Sequence, residues 1–192
     1  MKQKIQIRCK NNKKSQKVEI GSTLFDVFSS FDLKMTHGPV SARVNNKVEG
    51  MHYRVYNSKD VEFLDMNSAS GSRAYTRTLF FVLCKAVQDI YPNTDVVIDI
   101  PVSNGFYVDI RLGRPVVDED VNILRRRMQE IIDSKMPIRR FTVPTEEAIA
   151  LFQEKGDVEK VKLLRTSGSI YTTYYKIGEY VDFYYGTLLT NT

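Results

Sequence analysis

The chain has 192 residues, 42% of them hydrophobic and 27% charged, with a formal net charge of +5, which places it among ordinary globular chains with room for one large or two small units. No apolar run reaches the roughly 18 residues of a membrane span, and the opening MKQKIQIRCKNNKK lacks the apolar core of a signal peptide, so a cytoplasmic protein with no membrane partner is expected. Cys9 and Cys84 lie far apart without a C-x-x-C partner and read as reduced, buried thiols in the same compartment.

The charge is unevenly spread. Residues 1–66 carry twelve Lys/Arg against seven Asp/Glu, and residues 67–192 carry sixteen of each. A Lys-rich solubilising surface is the simpler reading of this excess; steering of an anionic partner such as a nucleotide or RNA is the other.

In chain order, Ile5, Ile7 and Cys9 alternate with polar residues, NNKKSQ supplies a turn and KVEI resumes the extended pattern, so the chain opens with a hairpin. GSTLFDVFSSF predicts a helix capped by Ser22 or Thr23, with Leu24, Val27, Phe28 and Phe31 on one face. SARVNNKVEG predicts a strand and an Asn-Asn turn, and DVEFLD a last strand. The order strand, strand, helix, strand, strand suggests a small sheet gripping one helix. The polar run around residues 67–72 reads as a linker.

The second part opens with a helix over RAYTRTLFFVLCKAVQDIYP, on which Arg77 and Phe81 share a face one turn apart. Val96, Ile98 and Ile100 alternate, Asn104-Gly105 turns, and Phe106, Val108 and Ile110 alternate again, a second hairpin. VVDEDVNILRRRMQEIIDSK is a helix with Val121, Leu124, Met128 and Ile131 along one side and Arg125 to Arg127 on its solvated faces. IRRFTV reads as a strand, PTEEAIALFQEKG as a helix started at Thr145 and stopped at Gly156, and DVEKVKLLR as an element of undecided type. IYTTYYKIGEYVDFYYG ends the series as a hairpin turning near Gly178.

With VEIGSTLFDVF, SARVNNKVEG and DVEFLD in view, the first part resembles a TGS domain, the ubiquitin-like β-grasp module of threonyl-tRNA synthetases, some GTPases and stringent-response enzymes. KAVQDIYPNTDVVIDIPVSNGFYVDI, PTEEAIALFQEKGDVEKVKLL and GEYVDFYYG resemble, in order, the editing domain shared by threonyl- and alanyl-tRNA synthetases. The resemblance implies an α+β chain with a β-grasp domain over residues 1–66, a linker at 67–72 and an editing-like domain over 73–192 that stops short of where such domains run on. It also implies a metal-type cluster, H-x-x-x-H on the first helix and C-x-x-x-H after the last hairpin. These positions hold Arg77 and Phe81, then Tyr184 and Leu188, and zinc needs nitrogen or sulfur donors that Phe and Leu cannot give. The only histidines, His37 and His52, lie in the first part.

The family's lysine and aspartate fall on Lys160 and Asp182, and the tyrosine expected after NGFY is replaced by Val108, beside Tyr107. A degenerate cleft of Arg77, Phe81, Tyr107, Val108, Lys160, Asp182, Tyr184 and Leu188 is therefore expected, with no catalytic or metal residue. Lys160 is expected at the surface, and Asp182 is expected to pair with Arg77. The arrangement is similar to the region preceding a uridine-kinase-type nucleoside kinase. That reading implies a non-catalytic regulatory or ligand-binding segment docking a downstream kinase domain, with no cofactor of its own and ATP and Mg²⁺ held by the kinase. This chain has no G-x-x-x-x-G-K-[ST]. The alternative is a tRNA/RNA-binding module related to threonyl-tRNA synthetase, with tyrosines such as Tyr174, Tyr175, Tyr184 and Tyr185 stacking bases. An editing hydrolase with altered chemistry ranks last.

Overall fold

The computed structural model describes residues 3–103 and 105–192, with the backbone alone at 99 and 100. The expected Asn104-Gly105 turn and the inward role of Ile100 therefore lie outside the described residues.

Strands β1 (Lys4–Cys9) and β2 (Ser15–Glu19) form the opening hairpin, and helix α1 (Leu24–Ser30) follows. Its N-cap is Thr23: the Thr23 hydroxyl accepts from Asp26 N, and Asp26 accepts from Thr23 N at 2.8 Å, so two orphan donors of the first turn are satisfied reciprocally. Strands β3 (Ser41–Val44) and β4 (Lys47–Glu49) flank Asn45 and Asn46, both at positive φ, a conformation that asparagine tolerates and a two-residue hairpin turn demands. Strand β5 (Lys59–Leu64) runs parallel to β1 in the middle of a five-stranded sheet ordered β2-β1-β5-β3-β4. The sequence suggests four strands here; the sheet has five, because the three-residue β4 pairs separately on β3. Leu24, Val27 and Phe31 of the α1 region pack on Ile7, Val44, Val61 and Phe63 of the sheet, which is the β-grasp expected.

Helix α2 (Ala69–Ile90) begins inside the stretch expected as a linker. Ser68 caps it by accepting from Gly71 N at 3.0 Å. Gly71 lies so close to the end of the first sheet that a Cβ on it would come within 1.9 Å of the Asp65 carbonyl oxygen. The two parts therefore join backbone to backbone.

Strands β6 (Val96–Val102) and β7 (Gly105–Ile110) pair as a two-stranded ribbon with an irregularity between Ile98 and Pro101. Helix α3 (Asp118–Asp133) follows. Strand β8 (Arg139–Pro144) leads directly into α4 (Thr145–Glu154), and Thr145 anchors that start by donating its hydroxyl to Ser169 O at 2.6 Å. The undecided segment is helix α5 (Val158–Thr166), capped by Asp157, which accepts from Lys160 N. Strands β9 (Tyr171–Ile177) and β10 (Tyr180–Phe183) complete a sheet ordered β10-β9-β8.

Because side chains alternate across a strand, this sheet has two working faces. Tyr175 and Ile177 point to α2 and α3, joining Phe81, Val87, Leu124 and Ile131 in one core. Val143, Tyr174, Val181 and Phe183 point to α4 and α5, packing on Ala148, Ile149, Phe152 and Leu164. The chain is α+β throughout. Among the described residues, no helix is long and apolar enough to cross a membrane.

Candidate functional site

The stride that sets Arg77 and Phe81 on one face of α2 reaches Cys84 next, since positions i, i+4 and i+7 of a helix are neighbours. Against this face stand β10 and the loop that follows it. Phe81 is fully buried, and its ring meets Tyr184 edge-on at 5.8 Å and Tyr180 at 5.2 Å. Leu188 is 2% exposed in the same core. Three of the four ligand positions of the family pattern are thus packed hydrocarbon and phenol, as the sequence suggests. Phe81 and Leu188 carry no donor atom, so this constellation does not fit a zinc ion. Among the described residues, no group of three or more His, Cys, Asp or Glu is placed to hold a metal.

The fourth position acts as a strut. The Arg77 guanidinium lies over Gly186, where a Cβ would come within 2.8 Å of it, and Nη1 donates to Thr187 O at 3.5 Å. Gly186 has φ +121°, a backbone region nearly closed to other residues. From the other side Tyr175 donates its hydroxyl to Gly186 O at 2.9 Å, and Leu189 N donates to the buried Thr78 hydroxyl at 2.9 Å. The loop at residues 184–189 is held by side chains where the family pattern places coordination.

The expected Arg77–Asp182 pair does not form. Asp182 lies instead two helical turns further along α2, beside Cys84, and its carboxylate is 3.1 Å from Lys160 Nζ. Lys160 also pairs with Asp157 at 2.8 Å and lies 5.7 Å from the Phe152 ring centroid. Its side chain is 29% exposed, so it is a bridge between α5 and β10 and not the surface residue expected. Burial pulls its pKa down, but the carboxylates of Asp182 and Asp157 more than offset this and leave it above the ordinary lysine value. The second Asp182 oxygen accepts from Tyr180 Oη at 2.9 Å.

Cys84, 9% exposed, completes the cluster beside Tyr180, Tyr184 and Asp182. Burial, reinforced by the negative charge of Asp182, pushes that thiol up to about 11. Burial likewise raises Tyr180 and Tyr184. With all three raised, the thiol and the two phenols keep their protons at neutral pH, beside the ion pair of Lys160 and Asp182.

Lys160, Asp182 and Cys84 form one wall of a polar cavity of about 480 Å³ that continues past Lys85, Asp89 and Arg111. Tyr107 and Val108 do not belong to it. Tyr107 is 60% exposed, and Val108 lines a separate apolar groove with Leu83, Ile110 and Met128, between α2, β7 and α3. The eight expected residues therefore divide among the packed plug, the ion-paired wall and the outer ribbon. Cys84, Tyr180, Asp157 and Gly186 do work there that the sequence does not single out. Cys84 alone was within reach of it, by extending the helical stride one step beyond Phe81.

No protein-family model matches the chain. Its sequence is similar to threonine–tRNA ligases: 30% identical to that of Acetivibrio thermocellus over 90% of this chain and 27% of the relative, 28% to that of Clostridium kluyveri over 98% and 30%, and 29% to that of Clostridioides difficile over 88% and 27%. The chain therefore spans about 27–30% of the length of these curated relatives. The similarity runs across both parts, and the architecture is a TGS-like β-grasp followed by an editing-like α+β unit.

Proposed function

We propose that this chain is a non-hydrolytic RNA-binding module related to threonine–tRNA ligases, with tRNA as its partner class and with its two units divided at residues 67–72. The observation that carries this reading is the plug of Phe81, Tyr184 and Leu188 with the Arg77 strut, set in a fold whose relatives act on tRNA by name. Hydrolysis of an aminoacyl ester needs an activated water or nucleophile and a means of stabilising the developing oxyanion. Here the ammonium of Lys160 is already closed on two carboxylates, and the Cys84 thiol stays protonated. Binding needs none of these and draws on the basic surplus of residues 1–66.

The nucleoside-kinase reading, with its ATP and Mg²⁺ and its downstream kinase domain, finds no support in the relatives named above, all of which are ligases. The test is tRNA affinity across a salt series together with a deacylation assay on seryl-tRNA. Expected is binding whose logarithm falls linearly with the logarithm of salt concentration, with ester lifetime the same as in buffer. Absence of binding at low salt would overturn the reading, as would ester hydrolysis that scales with protein concentration.

A further inference from the structure

Where the two parts face each other, β4 and β8 bring Lys47 and Arg140 to one groove of about 340 Å³. Glu49 sits between them with its side chain 7% exposed, 3.1 Å from Lys47 and 3.3 Å from Arg140. One buried carboxylate thus orders two cations and leaves a surplus of positive charge. The same groove is lined by Tyr171 at the start of β9 and Tyr185 in the strutted loop, 65% and 79% exposed. Tyr185 is held from behind: its neighbour Gly186 is fixed by Tyr175 and Arg77, and its own ring meets Phe183 edge-on at 6.0 Å. Ser167 and Ser169 also line it.

We propose that this inter-lobe groove is a site for an unpaired RNA strand, with phosphates on Lys47 and Arg140 and bases stacked on Tyr171 and Tyr185. The inference rests on the RNA-binding reading above and names its surface. Exposed aromatic faces that share a groove with cations match single strands, whose bases are free to stack; a duplex keeps its bases paired and offers only backbone. The four tyrosines suggested by the sequence resolve accordingly: Tyr175 is buried, Tyr174 lies stacked on Phe141 and Tyr184 against Phe81, so only Tyr185 is available, and Tyr171 joins it.

The test uses the full chain and three fluorescent probes: an unpaired RNA dodecamer, the matching RNA duplex, and tRNA. The dodecamer is expected to bind more tightly than the duplex. Tyr171→Ala and Tyr185→Ala should each weaken dodecamer binding by about tenfold or more, and Lys47→Gln should lower the salt slope by about one. Tyr56, 64% exposed on the first part, supplies the control, and Tyr56→Ala should bind as the parent does. Circular dichroism and thermal melts confirm folding, which these exposed substitutions should leave intact. If tRNA binds the parent and both tyrosine variants equally, or the duplex binds as well as the dodecamer, the groove assignment is overturned while the RNA-binding reading stands. If no probe binds, both fall.

Discussion

At the scale of single residues, the second part shows how a constellation loses one chemistry and keeps its geometry. Phe81 touches three tyrosine rings, and Phe81→Ala is expected to cost about 3–5 kcal/mol of stability, read as a lowered urea midpoint. Cys84 gives the pH dependence. Its thiol is raised from its ordinary 9.0 to about 11, so the unfolded chain loses this proton first. The stabilisation is full below pH 9 and is lost as pH climbs toward 11. Tyr180 and Tyr184, also raised, push the same way. Stability should therefore hold level up to pH 9 and then fall, with a shallower fall in Cys84→Ala, measured by urea titration at stepped pH. The plug was legible through the family resemblance, which sets Phe81, Tyr184 and Leu188 at positions where the pattern holds ligands and where Phe and Leu have no donor atom to offer. The partner of Asp182 was not legible, since spacing alone does not say which turn of α2 faces β10. Arg77 and Cys84 are about 10 Å apart along the helix axis, and Asp182 stands at the latter.

At the scale of elements, local rules carry most of the fold. Thr23 before Leu24 marks α1, Asn45 and Asn46 mark the β3–β4 turn, and alternation marks β9 and β10. Two elements escape such rules. Strand β4 has three residues, too few to show a period, and α5 has nine, with exposed Val158 and Leu163 blurring its apolar stripe. The start of α2 escapes for another reason: Ser68, Ser70, Gly71 and Ser72 have the composition of a linker, and the helix is set by a cap and by close packing on Asp65. Gly71→Ala is accordingly expected to destabilise by about 3 kcal/mol or more, since the added methyl meets backbone that cannot yield cheaply. A thermal melt that shifts by only a degree or two would show that this junction relaxes.

At the scale of the whole molecule, the two parts meet through the α2 junction and through the Lys47–Glu49–Arg140 bridge. Glu49→Ala leaves two cations facing each other without their carboxylate, and a loss of about 1–3 kcal/mol is expected, with faster proteolysis near residues 65–72 as a second readout. The bridge was not visible in the sequence, because Glu49 and Arg140 are 91 positions apart and nothing in either segment encodes the docking of β4 on β8. The Arg77 strut has a consequence of its own at this scale. A loop pinned by a guanidinium keeps its place whatever the supply of divalent ions. A chelator that would slacken a coordinated hairpin leaves this one taut, so the outer tyrosine it presents is always on display.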